Sequence, residues 1–578
     1  MKKQTFKRIA SYMRPYRTQL LLGCLSALLY VLFTLAGPVL IGRAIDKIIG
    51  VGNVDFAAVA KILILLALTV LFAAIAQWCM NVSTRIISSR AARDMRLEAF
   101  EKVNRVPLKY IDTHMHGDII SRLVNDADLV AEGILQGLTQ LLPGVCTIAG
   151  TLVVMAVLNP LIALVVVCVT PISIWFAGFV AKRTAGFFKK QSAAQGKMSG
   201  FVNEMVSGQA VIKAFGNEQR CFEACDEITD ELYETGLKSV FYSSVTNPGT
   251  RFVNAIVYAA VAVIGAIVTV GGGITVGQLS CFLTYANQYT KPFNEVSGVM
   301  TQLQSAFAGA QRLFDVIDEK SVTPDDDDAL APTQCEGRVD IKNVSFSYVP
   351  ERPLIENFTL HVKPGQRVAI VGPTGCGKTT MINLIMRFYE VNSGDISVDG
   401  DSIYRIKRKN LRDMYGMVLQ ETWLKNASVR DNIAYGRPNA TLDDIKQAAK
   451  AVHAHGFIKR LPDGYDTIIA AGGGNLSAGQ KQLLCIARIM LCQPDMLILD
   501  EATSSIDTRT ELLVQQAFEK LMQGRTSFIV AHRLSTIQNA DVIIVMDAGH
   551  IIEQGSHAQL LAKNGFYAKL YQSQFTPV

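Results

Sequence analysis

Val371-Gly372-Pro373-Thr374-Gly375-Cys376-Gly377-Lys378-Thr379-Thr380 follows the apolar run Arg367-Val368-Ala369-Ile370 and precedes a helix-forming run from Met381 to Phe388. Strand, glycine-rich loop and helix in that order are the context that G-x-x-x-x-G-K-[ST] requires. The backbone N–H groups of such a loop, with the N-terminus of the helix behind it, form a cradle for phosphate oxygens. Lys378 adds a point charge toward the β- and γ-phosphates, and Thr379 offers a hydroxyl to magnesium, a hard cation that prefers oxygen. The chain is therefore expected to spend the energy of a nucleotide, with ATP and Mg2+ as its cofactors.

The rest of the sequence shows on what. At 578 residues it is too long for one core. Charged residues are 18% and hydrophobic ones 49%, whereas a soluble chain carries about 25% charged residues, so part of the chain is expected in lipid. Six long apolar segments occupy the first half: Leu20–Ile41, Val59–Ala76, Leu138–Leu158, Leu161–Val180, Val253–Val270 and Thr275 to about Gln288, the last one weaker and more polar. Basic residues crowd the connections after the second span (Arg85, Arg90, Arg93, Arg96, Lys102, Arg105, Lys109) and after the fourth (Lys182, Arg183, Lys189, Lys190). The positive-inside rule then puts both termini and the two long loops in the cytoplasm. Those loops, about 81–130 and 181–245, have helical periodicity and read as helices running on past the membrane. Lys7, Arg8, Arg14 and Arg17 precede a first apolar run without a cleavage site, which reads as a span rather than a signal peptide. Arg251, Gln288, Lys291, Asn294 and Glu295 are the polar residues near spans five and six; they face a cavity or snorkel to an interface.

The net charge of +6 belongs to cytoplasmic loops, and no basic stripe interleaved with aromatics suggests nucleic acid. The 11 cysteines have neither disulfide-framework nor zinc spacing. An acidic run, Asp325–Asp328, between Pro324 and Pro332 reads as a solvated linker. The expected organisation is thus 1–320, an all-α membrane domain of six helices; 321–336, a linker; and 337–578, an α/β nucleotide-binding domain with a mixed sheet. Its strands include 339–348, 394–398, 415–419, 496–499, 527–530 and 542–546.

Met496-Leu497-Ile498-Leu499-Asp500-Glu501 is an apolar strand ending in two acids, where open α/β sheets bind ligands. Asp500 would hold the magnesium ion through water, and Glu501 would orient or deprotonate the attacking water.

With these residues the chain resembles the ATP-binding cassette superfamily, over nearly its whole length. Leu476-Ser477-Ala478-Gly479-Gln480 is similar to the family's signature, Gln420 to its glutamine loop, Ser504-Ser505-Ile506-Asp507 to its D-loop, His532 to its switch histidine and Tyr348 to the aromatic that stacks on adenine. The resemblance implies nucleotide-binding roles for Tyr348, for Gly372 to Thr380 (Pro373, Thr374, Gly375, Cys376, Gly377, Lys378 and Thr379 between them), and for Gln420, Asp500, Ser477, Gly479, Gln480 and Asp507. It implies catalytic roles for Glu501, His532 and Gln420, and magnesium ligation through Thr379, Gln420 and Asp500. The segments 110–126 and 208–216 look like the intracellular loops of the exporter type, which carry short coupling helices. One membrane domain ahead of one cassette is a half-transporter, expected to act as a dimer in the bacterial inner membrane.

Two departures bear on the partner. The third signature residue is Ala478 where the family usually has Gly, and 470–475 lacks the usual acidic residue. This resembles one subunit of a heterodimeric exporter with one weak ATP site. The expected function is ATP-driven export of a drug, lipid or peptide. The alternatives are a homodimeric exporter of a specific lipid, peptide or siderophore, or an ATP-gated channel.

Overall fold

The computed structural model describes residues 2–48, 54–419, 422–500, 507–530 and 537–575; in a few helical stretches, 172–185 and 293–298 among them, only the backbone path is described. Contacts divide the chain into two compact units, residues 1–106 with 114–320, and residues 107–113 with 321–578.

The first unit is helical. In order come α1 (Lys2–Met13), α2 (Arg17–Asp46), α3 (Phe56–Val103), α4 (Leu108–Thr113, which packs with the second unit), α5 (His116–Leu158), α6 (Pro160–Ser207), α7 (Gln209–Phe215), α8 (Glu218–Val270) and α9 (Val276–Ile317). The six expected spans fall in α2, α3, α5, α6, α8 and α9. Among the described residues three stretches, Gln4–Asp46, Phe56–Val103 and His116–Leu158, are long and apolar enough to cross a bilayer. At 53 residues, α8 is about 80 Å long, far more than the ~30 Å of hydrocarbon a bilayer offers. The long loops are therefore continuations of the spans.

Local chemistry sets the helix ends. Asn159 caps α6, its Oδ1 accepting from the N–H groups of Leu161 and Ile162 at 3.0 and 3.3 Å, with Pro160 behind it as a residue whose missing N–H costs nothing in a first turn. Thr275 and Gln278 form a capping box that starts α9. That helix runs on through Pro292 to Ile317, well beyond the Gln288 boundary expected from apolar content alone.

Small residues and paired polar groups hold the helices together. Gly42 of α2 lies so close to Gly277 of α9 that a Cβ on Gly42 would meet the Gly277 carbonyl oxygen at 2.6 Å. Such contacts bring backbones together where lipid supplies no hydrophobic drive. Asp46 secures the same crossing, accepting from the Gly277 N–H at 2.8 Å and the Thr275 hydroxyl at 2.7 Å. Two π-turns interrupt α5, at Arg122–Asp126 and Gly137–Leu141. From the first, Asp126 accepts from Arg312 of α9, Nε to Oδ2 at 2.8 Å. Ile87, Met95, Val130, Leu313 and Phe314 form one buried cluster, joining α3, α5 and α9.

In the second unit the expected mixed sheet is two sheets. The strands are β1 (Val339–Phe346), β2 (Ile355–Val362), β3 (Arg367–Val371), β4 (Ser393–Val398), β5 (Asp401–Ser402), β6 (Tyr415–Val418), β7 (Met496–Asp500), β8 (Thr526–Val530), β9 (Val542–Asp547) and β10 (His550–Gly555). One sheet, ordered β2-β1-β4-β5, is antiparallel; the other is ordered β10-β9-β3-β8-β7-β6. In the latter, β9, β3, β8, β7 and β6 are parallel, and β10 adds an antiparallel edge. The central strands are buried along their length, as sheets covered on both faces require. The acidic run is docked at one point: Asp325 accepts from the Arg408 guanidinium at 2.6 Å and from its backbone N–H at 2.9 Å.

The Asp126 side chain is 5% exposed and that of Arg312 46%. Replacing Arg312 by Gln leaves a buried carboxylate without its cation, at a cost of about 1–3 kcal/mol, below the full value for a buried pair because the arginine is half-exposed. Arg312→Gln is expected to lower the thermal unfolding midpoint of the protein in lipid nanodiscs; an unchanged midpoint contradicts a stabilising role.

Candidate functional site

The phosphate loop grows from the middle of the parallel sheet. β3 lies between β8 and β9, so the loop after Val371 stands on a buried base. Gly375 and Gly377 have φ of +87° and +102°, which a side chain rarely tolerates. That turn delivers the chain into α10 (Lys378–Ile385) with its N-terminus at the loop. Lys378 is 7% exposed. Its ammonium is held by the Gly372 and Pro373 carbonyls at 2.8 and 2.9 Å. Thr379 is exposed, while Thr380 is buried and bonds through its hydroxyl to the Tyr348 hydroxyl at 3.2 Å.

Asp500 closes β7 and is 5% exposed. It is paired in register with Val530 of β8, which is paired with Ile370 of β3. The acid therefore stands level with the start of the loop at the C-terminal ends of the parallel strands, where such sheets bind ligands. An exposed threonine hydroxyl and a carboxylate make an all-oxygen donor set of the kind magnesium takes. Gln420, Glu501, Ser504, Ser505 and His532 lie outside the described residues.

The signature residues stand elsewhere. Ser477 caps α11 (Ala478–Cys492) through a capping box with Gln480: the Gln480 N–H donates to Ser477 Oγ at 3.3 Å, and the Ser477 N–H to Gln480 Oε1 at 3.0 Å. Gly479 is buried in the first turn. Among the described residues no hydrogen bond joins this group to the phosphate loop. Asp507 caps α12 (Thr508–Met522) by accepting from the Thr510 N–H at 2.9 Å, which holds its carboxyl below the usual range. The segment before the signature turns on Gly472 and Gly473, and Lys481 donates back to the Gly472 carbonyl at 2.7 Å.

One contact escaped the sequence. Tyr389, just past α10, donates its hydroxyl to Asp112 of α4. Burial first, and then that carboxylate, push the Tyr389 phenol up, so it stays a donor across the working pH range. Its ring meets Tyr348 edge to face, with centroids 5.0 Å apart. The resemblance marks 110–126 as a loop that carries a short coupling helix, but nothing in the sequence names Tyr389 as the residue that receives it.

Comparison with known proteins agrees with the geometry. Residues 20–293 match the family described as ABC transporter transmembrane region, and residues 355–504 the family ABC transporter. The chain is 41% identical to the fatty acid ABC transporter ATP-binding/permease protein of Mycobacterium bovis, over 90% of this chain and 82% of that one. It is 38% identical to an uncharacterized ABC transporter ATP-binding protein, YfiC, of Bacillus subtilis (99% and 94%). It is 33% identical to an ATP-dependent lipid A-core flippase of Syntrophus aciditrophicus (99% and 94%). The structure of a bacterial Atm1-family ABC exporter with ATP bound is similar at a TM-score of 0.81 and 27% identity, over 97% of this chain and 99% of that one.

Two predictions follow from the loop and from α4. Cys376 is 3% exposed, 3.9 Å from the Lys378 ammonium. Alkylation with N-ethylmaleimide is expected to abolish ATPase activity, with ATP protecting, and Cys376→Ala to be resistant. An Ala variant as sensitive as the parent would place the inactivation elsewhere. Tyr389→Phe removes one hydrogen bond worth about 0.5–1.5 kcal/mol and should raise amide hydrogen exchange across 108–113 about two- to tenfold. An unchanged exchange pattern would show that the hydroxyl does not hold α4.

Proposed function

Because this chain belongs to the ABC transporter family, as an exporter-type half-transporter whose ATPase is coupled to transport, we propose that it pairs with a second half-transporter and exports amphipathic or lipophilic compounds across the cell membrane by alternating access. The observation that carries this reading is a phosphate loop with its lysine already positioned, Lys378 on two loop carbonyls, in one chain with membrane-length helices. Among drug, lipid and peptide cargoes, the names of two relatives, a fatty acid transporter and a lipid A-core flippase, favour a lipid.

The roles follow from the chemistry. Backbone N–H groups of 372–380 and Lys378 bind the phosphates, and Tyr348 packs on the base. Thr379 and Asp500, with Gln420, hold magnesium, which when bound neutralises phosphate charge. Glu501 orients or deprotonates water, and His532 contacts the γ-phosphate side. Ser477 and the α11 N–H groups offer an anion site to the nucleotide held by the partner. ATP then joins two cassettes, and its greater affinity for the joined state is what shifts the equilibrium.

A heterodimer fits best. The walls this chain gives its own nucleotide match the family pattern, while the face it gives the partner has Ala478 and the neutral run 470–475. On α7, Val211 and Phe215 are 61% and 77% exposed, an apolar surface suited to contact with a second chain. The nucleotide domain and both termini would lie in the cytoplasm, on the basic side of the spans.

Glu501→Gln is expected to reduce ATP turnover at least about a hundredfold, in the range of lost general-base catalysis, and to trap a nucleotide-bound dimer. ATPase assay of the purified assembly and size analysis with ATP check both. Normal turnover would remove Glu501 from the role of base. Transport of lipid probes in proteoliposomes, with and without ATP, tests export itself.

A further inference from the structure

The first unit holds a polar cavity of about 490 Å³ at the membrane level, among α2, α3, α5 and α9. Lys291 of α9 lines it, with Gln288 one turn back, Gln77 and Asn81 from α3, Gln140 from α5 and Tyr30 from α2. Among the described side chains no acidic one lines it; that of Glu295, one turn after Lys291, lies outside them. A lysine fifteen residues into α9, about 22 Å along the helix, is costly in hydrocarbon and is tolerated where it faces a cavity or a partner. Here it lines a cavity, one of the two readings its sequence allows.

Two further features point to a ligand. Gln288 Oε1 is buried and has no hydrogen-bond partner among the described residues; turned about its terminal bond, this amide would present its N–H groups, not its oxygen, to an anion. The second π-turn of α5, Gly137–Leu141, contains Thr139 and Gln140, and both line the cavity. Single π-turns inside helices recur at functional sites because they re-aim side chains.

Beside this cavity lies an apolar cleft of about 720 Å³ on the same helices α2, α3 and α5. The two border at neighbouring positions, Thr34 and Leu35 of α2, Thr147 and Cys146 of α5. Leu35, Val39, Leu65 and Val153 line the cleft, and Arg43 stands at its end. On α3 the polar positions, 77–81, come later than the cleft positions, 65–69. The two sites therefore follow one another along the helices, with bordering walls. Each volume is in the roughly 300–1,000 Å³ range of ligand pockets.

We propose that Lys291, with the amides of Gln77, Asn81, Gln140 and Gln288, binds the carboxylate head of a single-chain fatty acid whose tail lies in the α2/α3/α5 cleft. Among the described lining residues one cation stands among neutral amides, which matches one negative charge; a multiply charged head would be left uncompensated. The apolar wall beside it requires a long tail. This assignment rests on the export reading above and names the cargo class of that transporter.

The test is equilibrium binding to the full-length protein in nanodiscs, in its native assembly and without ATP. The probes are palmitate, hexadecanol, hexadecyltrimethylammonium and dioleoyl phosphatidic acid. Palmitate is expected to bind at least about tenfold more tightly than hexadecanol, the difference a charge-assisted contact makes. Lys291→Gln should abolish that preference while hexadecanol binding persists, and Lys291→Arg and Arg43→Gln should retain it. Val153→Trp, which fills the cleft, should weaken palmitate and hexadecanol together. Equal binding of acid and alcohol by the parent, a preference that survives Lys291→Gln, or one lost in Arg43→Gln overturns the head site. Tighter binding of the cation does so too. Tighter Lys291-dependent binding of phosphatidic acid overturns the single-chain carboxylate. Failure of the two readings is separable. Palmitate bound through Lys291 but not moved by ATP in proteoliposomes sinks export and leaves the site. ATP-driven lipid movement without a Lys291-dependent preference sinks the site and leaves export.

Discussion

The chain turns sharply between β3 and α10, and the nucleotide chemistry depends on that turn. Gly375 and Gly377 at positive φ let the loop N–H groups and the first turn of α10 converge on one point. A Cβ on Gly377 would already meet Ile355 at 3.3 Å, so close packing as well as backbone angle fixes the residue. The loop can hold this shape because its base cannot yield: Val368, Ala369 and Ile370 are fully buried between two parallel neighbours. Lys378 is drawn in by two carbonyls, so its charge sits in the cradle before any phosphate arrives. Phosphate oxygens carry full charge and are stronger partners for an ammonium than carbonyls are.

The membrane unit obeys a different constraint. Apolar burial cannot select helix contacts in lipid, so selection falls to close backbone approach and to the few polar pairs. Gly42 against Gly277, Asp46 on the α9 N-terminus, and Asp126 with Arg312 are such contacts. All three involve α9, the helix that also carries Lys291. The span with the weakest apolar signal is thus the one to which these contacts pin α2 and α5.

What the sequence made legible was local. The loop, the strand ending in Asp500 and the Ser477 capping box each read directly, because every residue that decides them lies within a few positions. Span positions were legible from apolar length, and the helical extensions from the lack of proline. The two-sheet division was not, because β1 pairs with β4 across some fifty residues of intervening chain. Apolar content bounds the sixth span near Gln288 but does not mark a helix end, and α9 runs on through Pro292 to Ile317. Gln77, Asn81 and Gln140 share no sequence pattern that joins them; only three-dimensional convergence gives them a common cavity. The catalytic roles of Glu501, His532 and Gln420 stay with the sequence, since those residues lie outside the described ones.

The turn after α10 has more to carry than the sequence suggested. Tyr389 holds Asp112 of the short helix α4, whose chain on both sides belongs to the first unit. The next residue, Glu390, accepts from Arg408 at 2.8 Å, and Arg408 holds Asp325 of the segment that follows α9. Both places where the chain passes from the first unit into the second are therefore tied beside one turn. That turn is the direct continuation of the helix that begins at Lys378. Tyr348 touches both ends of this helix, bonding Thr380 near its start and packing on Tyr389 past its end. Packed segments of this kind move as units rather than deform, so α10 and the turn that holds Asp112 and Arg408 form one packed piece of the second unit.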